Sequence, residues 1–221
     1  MKISKMFGML SGLSGTMRFS NAKLSNQESV LEHIGCVGII CYLITSEMNK
    51  MTPGTIDPGP VLARAMAHDV EEVLMGDVPR VTKYSSERSR EMFRELEEVM
   101  MSRLIGELEM QSGDLIQDHR EAKRDSEGLI VELADILAVV YKIYEEAVMR
   151  GNMAMMSRAT SCHEQLSGVS QKVSDSSWSE EVKAFLTDVI DQARAIVKSA
   201  QDSAGDDFFI SEIGIGGDAR R

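Results

Sequence analysis

The chain is poor in the residues that mark several protein classes. Its three cysteines, Cys36, Cys41 and Cys162, are odd in number and share no zinc-type spacing. Neither a disulfide framework nor a cysteine zinc site is therefore expected; reduced thiols in a cytoplasm are. No run of 18 or more apolar residues occurs, so no membrane-spanning helix is expected. The opening stretch, with Lys2 and Lys5 before MFGMLSGLSGTM, is short and broken by Gly and Ser, and reads as a soluble first helix rather than a signal peptide. Surplus positive charge is missing as well. The 24 Lys and Arg against 35 Asp and Glu leave a net charge of −11, which argues against a groove for polymeric nucleic acid. A small anionic substrate stays possible, because a metal and a few basic residues can reverse the local field. No phosphate-binding G-x-x-x-x-G-K-[ST], no strand-linked G-x-G-x-x-G and no Ser or Cys nucleophile with a partner motif is present.

What is present is helical punctuation. No internal repeat and no alternation long enough for a sheet occurs, so an all-α fold is expected. Lys2 to Leu13 reads as a short helix, and Gly15 to Gln27 as a polar loop carrying Arg18 and Phe19. Ser25-x-x-Glu28 reads as a capping box opening a helix to about Met48. A Pro/Gly loop, Thr52 to Pro60, precedes a helix from about Gly59 to Met75, which Gly76 caps in the left-handed region. An amphipathic helix follows from Ser85 to about Ile116, with Met92, Phe93, Leu96, Val99, Met100, Leu104 and Leu108 at helical spacing. Leu129 to Met149 is apolar nearly all round and should be buried. Asn152 to Val173 shows weak periodicity. Ser177-x-x-Glu180 caps a last helix bearing Trp178, Val182, Phe185, Leu186, Val189 and Ile196 on one side. The expected division is a core over 1–152, helices over 153–201 packed on it, and a mobile tail over 202–221.

The densest chemistry lies in AMAHDVEEVLMGDVPRVTKY, Ala65 to Tyr84. At 100° per residue, His68, Asp69 and Glu72 fall within roughly 100° of arc, with Glu71 outside it and free to face solvent. Burying an imidazole and two carboxylates among Leu62, Ala65, Met66 and Leu74 is costly unless they are paired or hold a metal. The bland alternative is a solvated acidic helix end. Asp135, among Val131, Ala138 and Val139, is another carboxylate that a metal would account for. His33 shares a face with Val30, Val37, Cys41 and Ile44, where a histidine is more often core than ligand, and Cys36 one turn on is taken as core. The rigid Gly76-Asp77-Val78-Pro79 turn aims Asp77 back toward the site; the alternative is a simple loop acid. Asp114, Asp118 and His119 form a second acidic cluster, but within a Lys/Arg-containing segment they read as a solvated connection.

His68-Asp69 followed by GDVPRVTKY resembles the HD-domain metal-dependent phosphohydrolases, specifically the bacterial and phage 5′-deoxynucleotidases. The ordered set His33, His68-Asp69, Glu72, Asp77 and Asp135 matches. So do Arg18, Glu32 before the first His, and Gly76-Asp77-x-Pro79-x-x-Lys83-Tyr84, over about Met1 to Asn152. The resemblance implies an all-α HD-domain helical bundle in which His33, His68, Asp69 and Asp135 hold one divalent transition metal ion, cobalt, manganese, zinc or iron. Glu72 would orient or deprotonate the attacking water, and Asp77 would position the water or the leaving 5′-oxygen. Arg18 and Lys83 would neutralise phosphate charge. Phe19 stands where the best-known bacterial members have Trp, keeping an apolar wall for the sugar without an indole N–H. Leu31 replaces a small polar residue. The implied substrate is a 2′-deoxynucleoside 5′-monophosphate, cleaved to deoxynucleoside and phosphate. The alternatives are a dATP-type triphosphohydrolase, as in phage relatives, and a non-catalytic nucleotide-binding or helical interaction protein. A cytoplasmic homodimer is expected, in the host cytoplasm if the chain is phage-encoded. Its surface would be the Met stripe and the last helix, with no membrane and no nucleic-acid polymer as partner.

Overall fold

A computed structural model describes residues 2–110 and 114–204, and the architecture is all-helical among them. The elements are α1 (Ile3–Gly15), α2 (Val30–Met51), α3 (Pro58–Ala67), α4 (Glu72–Met75), α5 (Arg80–Lys83), α6 (Glu87–Leu108), α7 (Asp114–Glu121) and α8 (Ser126–Ile143). A wide turn (Tyr144–Met149), a tight 3-10 turn (Met153–Arg158), α9 (Ala159–Asp175) and α10 (Glu180–Ala204) complete it. The one extended pairing described is an isolated antiparallel bridge between Met17 and Ser29. The chain divides into two compact units, Met1–Asn21 with Gln27–Asp135, and Ala22–Asn26 with Ile136–Arg221. The division thus falls inside α8, earlier than the expected boundary at 152.

In the first unit α2 is the organising helix. Its apolar face, Val30, Ile34, Val37, Cys41, Ile44 and Met48, is buried, and His33 is buried with it. By length and composition α2 could cross a membrane, but this buried stripe is what a core helix looks like. It starts later than the sequence suggested. Ser29 is the N-cap, accepting from the Glu32 N–H at 3.2 Å, while Glu32 reaches back to the Ser29 N–H at 2.7 Å. The competing box at Ser25 and Glu28 is not used: the Ser25 N–H donates to Glu146 at 2.7 Å, and the Glu28 carboxylate faces Arg18 at 3.6 Å. Leu13, Val30, Ile34, Val70, Met101, Leu104 and Leu108 form one cluster joining α1, α2 and α6. α6 ends at Leu108, well short of Ile116. Glu109 there takes a left-handed φ of 54°, and its carboxylate lies 3.0 Å from the Lys5 ammonium. The other side of α6 leaves Met92 and Val99 more than half exposed.

In the second unit α9 and α10 pair, burying Cys162, Leu166, Val169 and Val173 against a stripe of Val182, Leu186, Ile190 and Val197. The last helix therefore uses its apolar face inside its own unit, which removes it from the expected dimer surface. Ser179, not Ser177, supplies the side-chain oxygen at its start, 3.4 Å from the Val182 N–H. α10 runs through 204, so 202–204 are helical; the rest of the expected tail, 205–221, lies outside the described residues.

Candidate metal centre

Three helices deliver the donors. His33 comes from α2, His68 from the end of α3 with Asp69 just beyond it, and Asp135 from α8. His33 Nε2 lies 3.2 Å from His68 Nε2, 3.5 Å from Asp69 Oδ2 and 3.2 Å from Asp135 Oδ1. His68 Nε2 lies 3.2 Å from Asp69 Oδ2. Donors held about 2.0–2.2 Å from a shared ion at right-angled to tetrahedral spacing stand roughly 2.8–3.6 Å apart. His68 Nδ1 is 2.7 Å from the Ala65 carbonyl, which assigns it the proton and leaves Nε2 with a lone pair turned inward. Two imidazoles and two carboxylates converging in a buried place form an electron-rich nest, and a borderline divalent cation is what such a donor set suits.

Both carboxyls of the donor set favour the ionised form that a cation needs. Burial opposes ionisation of Asp69, but His68 and His33 outweigh it and hold the carboxyl well below its usual range. Burial likewise works against Asp135, and the Lys123 ammonium and His33 hold it well below that range. Burial alone would lower His68, and the Asp69 charge raises it instead. His33 Nδ1 is buried with no hydrogen-bond partner among the described residues.

The expected continuous helix from Gly59 to Met75 is broken at the His-Asp pair. α3 ends at Ala67, and the bonds that follow span three residues rather than four: Val70 N–H to Ala67 at 3.4 Å, Glu72 N–H to Asp69 at 3.2 Å, Val73 N–H to Val70 at 3.3 Å. In such a tight turn side chains three apart eclipse. Glu71 is therefore swung onto the side of His68 and away from solvent, contrary to its expected position. It is 1% exposed, and its Oε2 lies 2.9 Å from His119 Nε2. His119 is correspondingly no part of a solvated connection; α7 packs on α3 and carries it inward. Burial pushes the Glu72 carboxyl up to about 10, helped by the charges of Asp69, Asp77 and Glu71. Its Oε2 is buried and unpartnered among the described residues. Gly76 has φ 76° but ψ 165°, an extended glycine-only conformation rather than the expected left-handed cap.

The remaining predicted residues lie around this centre. Arg18 is buried, its guanidinium 4.9 Å over the Phe19 ring, and Asp69 and Asp135 are among the charges that raise its pKa against burial. Phe19 is buried, with a left-handed φ of 55° uncommon for a bulky side chain, and its N–H donates to Asp77 Oδ2 at 2.9 Å. Asp77 thus holds the Arg18-Phe19 turn. Lys83 lies 2.9 Å from Glu97 of α6, with Asp69 and Glu71 among the charges raising it. Two residues that sequence reasoning passed over join them. His119 and Lys123 both sit in the charged segment 114–127, where composition signals only solvation.

A family model described as 5′-deoxynucleotidase YfbR-like matches residues 5–193. The 5′-deoxynucleotidase YfbR of Escherichia coli O1:K1 / APEC is 28% identical over 162 residues, covering 72% of this chain and 80% of the relative. The crystal structure of an HD-domain phosphohydrolase from Listeria innocua superposes with TM-score 0.68 at 22% identity, covering 90% of this chain and 93% of that one. The HD phosphohydrolase DatZ of cyanophage S-2L, solved bound to dA and one catalytic Zn2+ ion, superposes with TM-score 0.58 at 18% identity, covering 86% and 95%. The fold is that of the HD-domain phosphohydrolases.

Proposed function

The chain belongs to the YfbR-like 5′-deoxynucleotidase family, and from that premise we propose that it removes the 5′-phosphate of 2′-deoxynucleoside 5′-monophosphates, using one divalent transition metal ion. It is a hydrolase. The observation that carries the reading is His33 Nε2, which lies 3.2 to 3.5 Å from donor atoms of His68, Asp69 and Asp135, with His68 Nε2 3.2 Å from Asp69. Those residues would hold the ion, which when bound supplies electrophilic polarisation of the phosphoryl group and acidifies a nearby water. DatZ carries a catalytic zinc, which supports that class of metal here without selecting it.

The chain's own residues do the rest. Glu72 is assigned the proton of the attacking water. Its unpartnered Oε2 is the acceptor, and a neighbouring dication would draw its raised pKa down toward the neutral range that such an exchange needs. The oxygen of that water bonds to phosphorus as the bond to the 5′-oxygen breaks, and the leaving oxygen takes up a proton, returned from Glu72 or drawn from solvent, giving deoxynucleoside and phosphate. Arg18 and Lys83 are assigned the phosphate charge. Asp77 keeps one oxygen on the Phe19 N–H, and its other is assigned to the water or the leaving 5′-oxygen. The Phe19 ring is assigned to the sugar, where an unpaired 2′-hydroxyl would be rejected.

Incubating the metal-loaded protein with deoxynucleoside mono-, di- and triphosphates and with ribonucleotides, then separating the products, tests this. Deoxynucleoside plus phosphate from the monophosphates is expected. Release of intact triphosphate would establish the dATP-type alternative, and no product from any substrate would leave a binding protein. A cytoplasmic homodimer is part of the proposal. With α10 used internally, the support shifts to Met92 and Val99 on α6 and to Ile39, Tyr42 and Leu43 on α2, all exposed. A monomer mass by light scattering would remove the dimer.

A further inference from the structure

Lys123 has a position no motif announced. Its ammonium contacts Asp135 Oδ2, while Asp135 Oδ1 faces His33 Nε2 at 3.2 Å. The two oxygens of one carboxylate thus serve two directions, the donor cluster and the lysine. A carboxylate accepts on both oxygens, so a cation on Oδ1 does not displace the ammonium from Oδ2.

The turn that carries Lys123 is built to hold it there. Arg64 of α3, itself buried, reaches Glu121 on one side of the lysine at 3.2 Å and Asp125 on the other. Asp125 also accepts the Gly128 N–H at 3.0 Å. Gly128 packs so closely under the turn that a Cβ there would sit 2.8 to 2.9 Å from the Lys123 backbone. An ordinary surface ion pair needs none of this and is worth little. The side chain nevertheless stays 42% exposed, open to a ligand arriving from solvent.

Electrostatics says which ligand. A phosphomonoester carries nearly two negative charges, and here it must approach Asp69, Asp135 and Glu72. Of the two cations expected to meet it, Arg18 faces Glu28 at 3.6 Å and Lys83 faces Glu97 at 2.9 Å. We propose that Lys123 is a substrate-binding residue, whose ammonium on the outer oxygen of Asp135 receives the phosphate group of the substrate. The proposal rests on the phosphohydrolase reading above. It makes Lys123 the third cation of the site, a point charge reaching the phosphate from the α7–α8 turn.

The test uses the full metal-loaded chain with Lys123→Met, Lys123→Arg and Gly128→Ala. Four quantities are read: metal content, kcat and KM for dAMP, the affinity for inorganic phosphate by direct titration, and inhibition by deoxyadenosine. Lys123→Met should raise KM for dAMP and weaken phosphate by about ten- to a hundredfold, the loss of a charged hydrogen bond. Metal content and deoxyadenosine inhibition should stay at wild-type levels. Lys123→Arg should recover most of the phosphate affinity, and Gly128→Ala should lose part of it by displacing the turn. Wild-type phosphate affinity in Lys123→Met overturns the proposal, as does loss of metal as the main effect. If the wild type binds phosphate but cleaves no deoxynucleotide, the activity reading fails, and the phosphate titration of Lys123→Met still decides for or against Lys123.

Discussion

Glu71 and His119, 48 residues apart, form a part-buried pair, with Glu71 Oε2 2.9 Å from His119 Nε2. The pair ties the tight turn after His68-Asp69 to α7. Asp69, Glu71 and Glu72 each present a carboxylate oxygen within 4.8 Å of the others; Glu71 Oε2 is engaged by His119, while Glu72 Oε2 is buried with no partner among the described residues.

Glu71→Ala should therefore cost stability, about 1–3 kcal/mol for the partner left buried and unpaired. Chemical denaturation of Glu71→Ala, His119→Ala and the double variant measures it. The double variant should be less destabilised than the sum of the two, because each single change removes the same contact.

Glu72→Gln should retain metal and bind dAMP with little change while kcat falls about 10²–10⁴-fold. Rapid turnover by a metal-replete Glu72→Gln would remove Glu72 from the chemical step.

Metal linkage gives a measurement independent of turnover. Adding zinc, manganese or cobalt to the chelator-treated protein should raise its Tm, by about 2.7 kcal/mol of added stability at a hundredfold excess over Kd. Asp69→Ala and His33→Ala should abolish most of that shift. An unchanged metal response in both would show that the ion is held elsewhere.

Asp77→Ala should free the Phe19 N–H and relax the left-handed Phe19 toward ordinary backbone angles. Arg18, proposed above to meet the phosphate, would shift with it. The expected signature is a raised KM for dAMP, and a smaller preference for dAMP over AMP because the Phe19 ring moves with it. A wild-type ratio of dAMP to AMP turnover would argue that Asp77 does not hold this turn.

Acid stability in the second unit should depend on Glu146. Its buried carboxylate accepts the Ser25 N–H at 2.7 Å, the Asn26 N–H at 2.9 Å and the Asn152 amide at 2.6 Å. Burial alone would raise its pKa; these donors, with Lys142, lower it below the ordinary glutamate value. A lowered folded-state pKa means the contribution is fully present above the unfolded value of about 4.3 and is lost as pH falls through the folded one. Glu146→Gln should flatten that acid limb of the stability curve and speed amide exchange at Ser25 and Asn26. An unchanged acid limb would show that these hydrogen bonds add no net stability.

The sequence by itself determined which residues share a helical face. Val30, Val37, Cys41 and Ile44 recur at the helical period, and every one of them is buried with His33 among them. The ordered set of His, His-Asp, Glu, Asp and late Asp named the family, because that spacing is carried by the chain itself. Only the tertiary structure decided which charges meet. Two capping boxes were available at the start of α2, and the choice fell to Ser29, with the Ser25 N–H taken by Glu146 and Glu28 turned toward Arg18. An unbroken helix would have set Glu71 about 60° from His68, outside the arc of His68, Asp69 and Glu72; the three-residue bonds after Ala67 turned it further inward, and α7 arrived with His119 to meet it. Lys123 looked like one more solvated charge until the fold set it on Asp135. Periodicity is a local property, readable within a few turns. A contact between residues 12, 48 or 58 positions apart depends on how helices pack, and that is settled by the whole core at once.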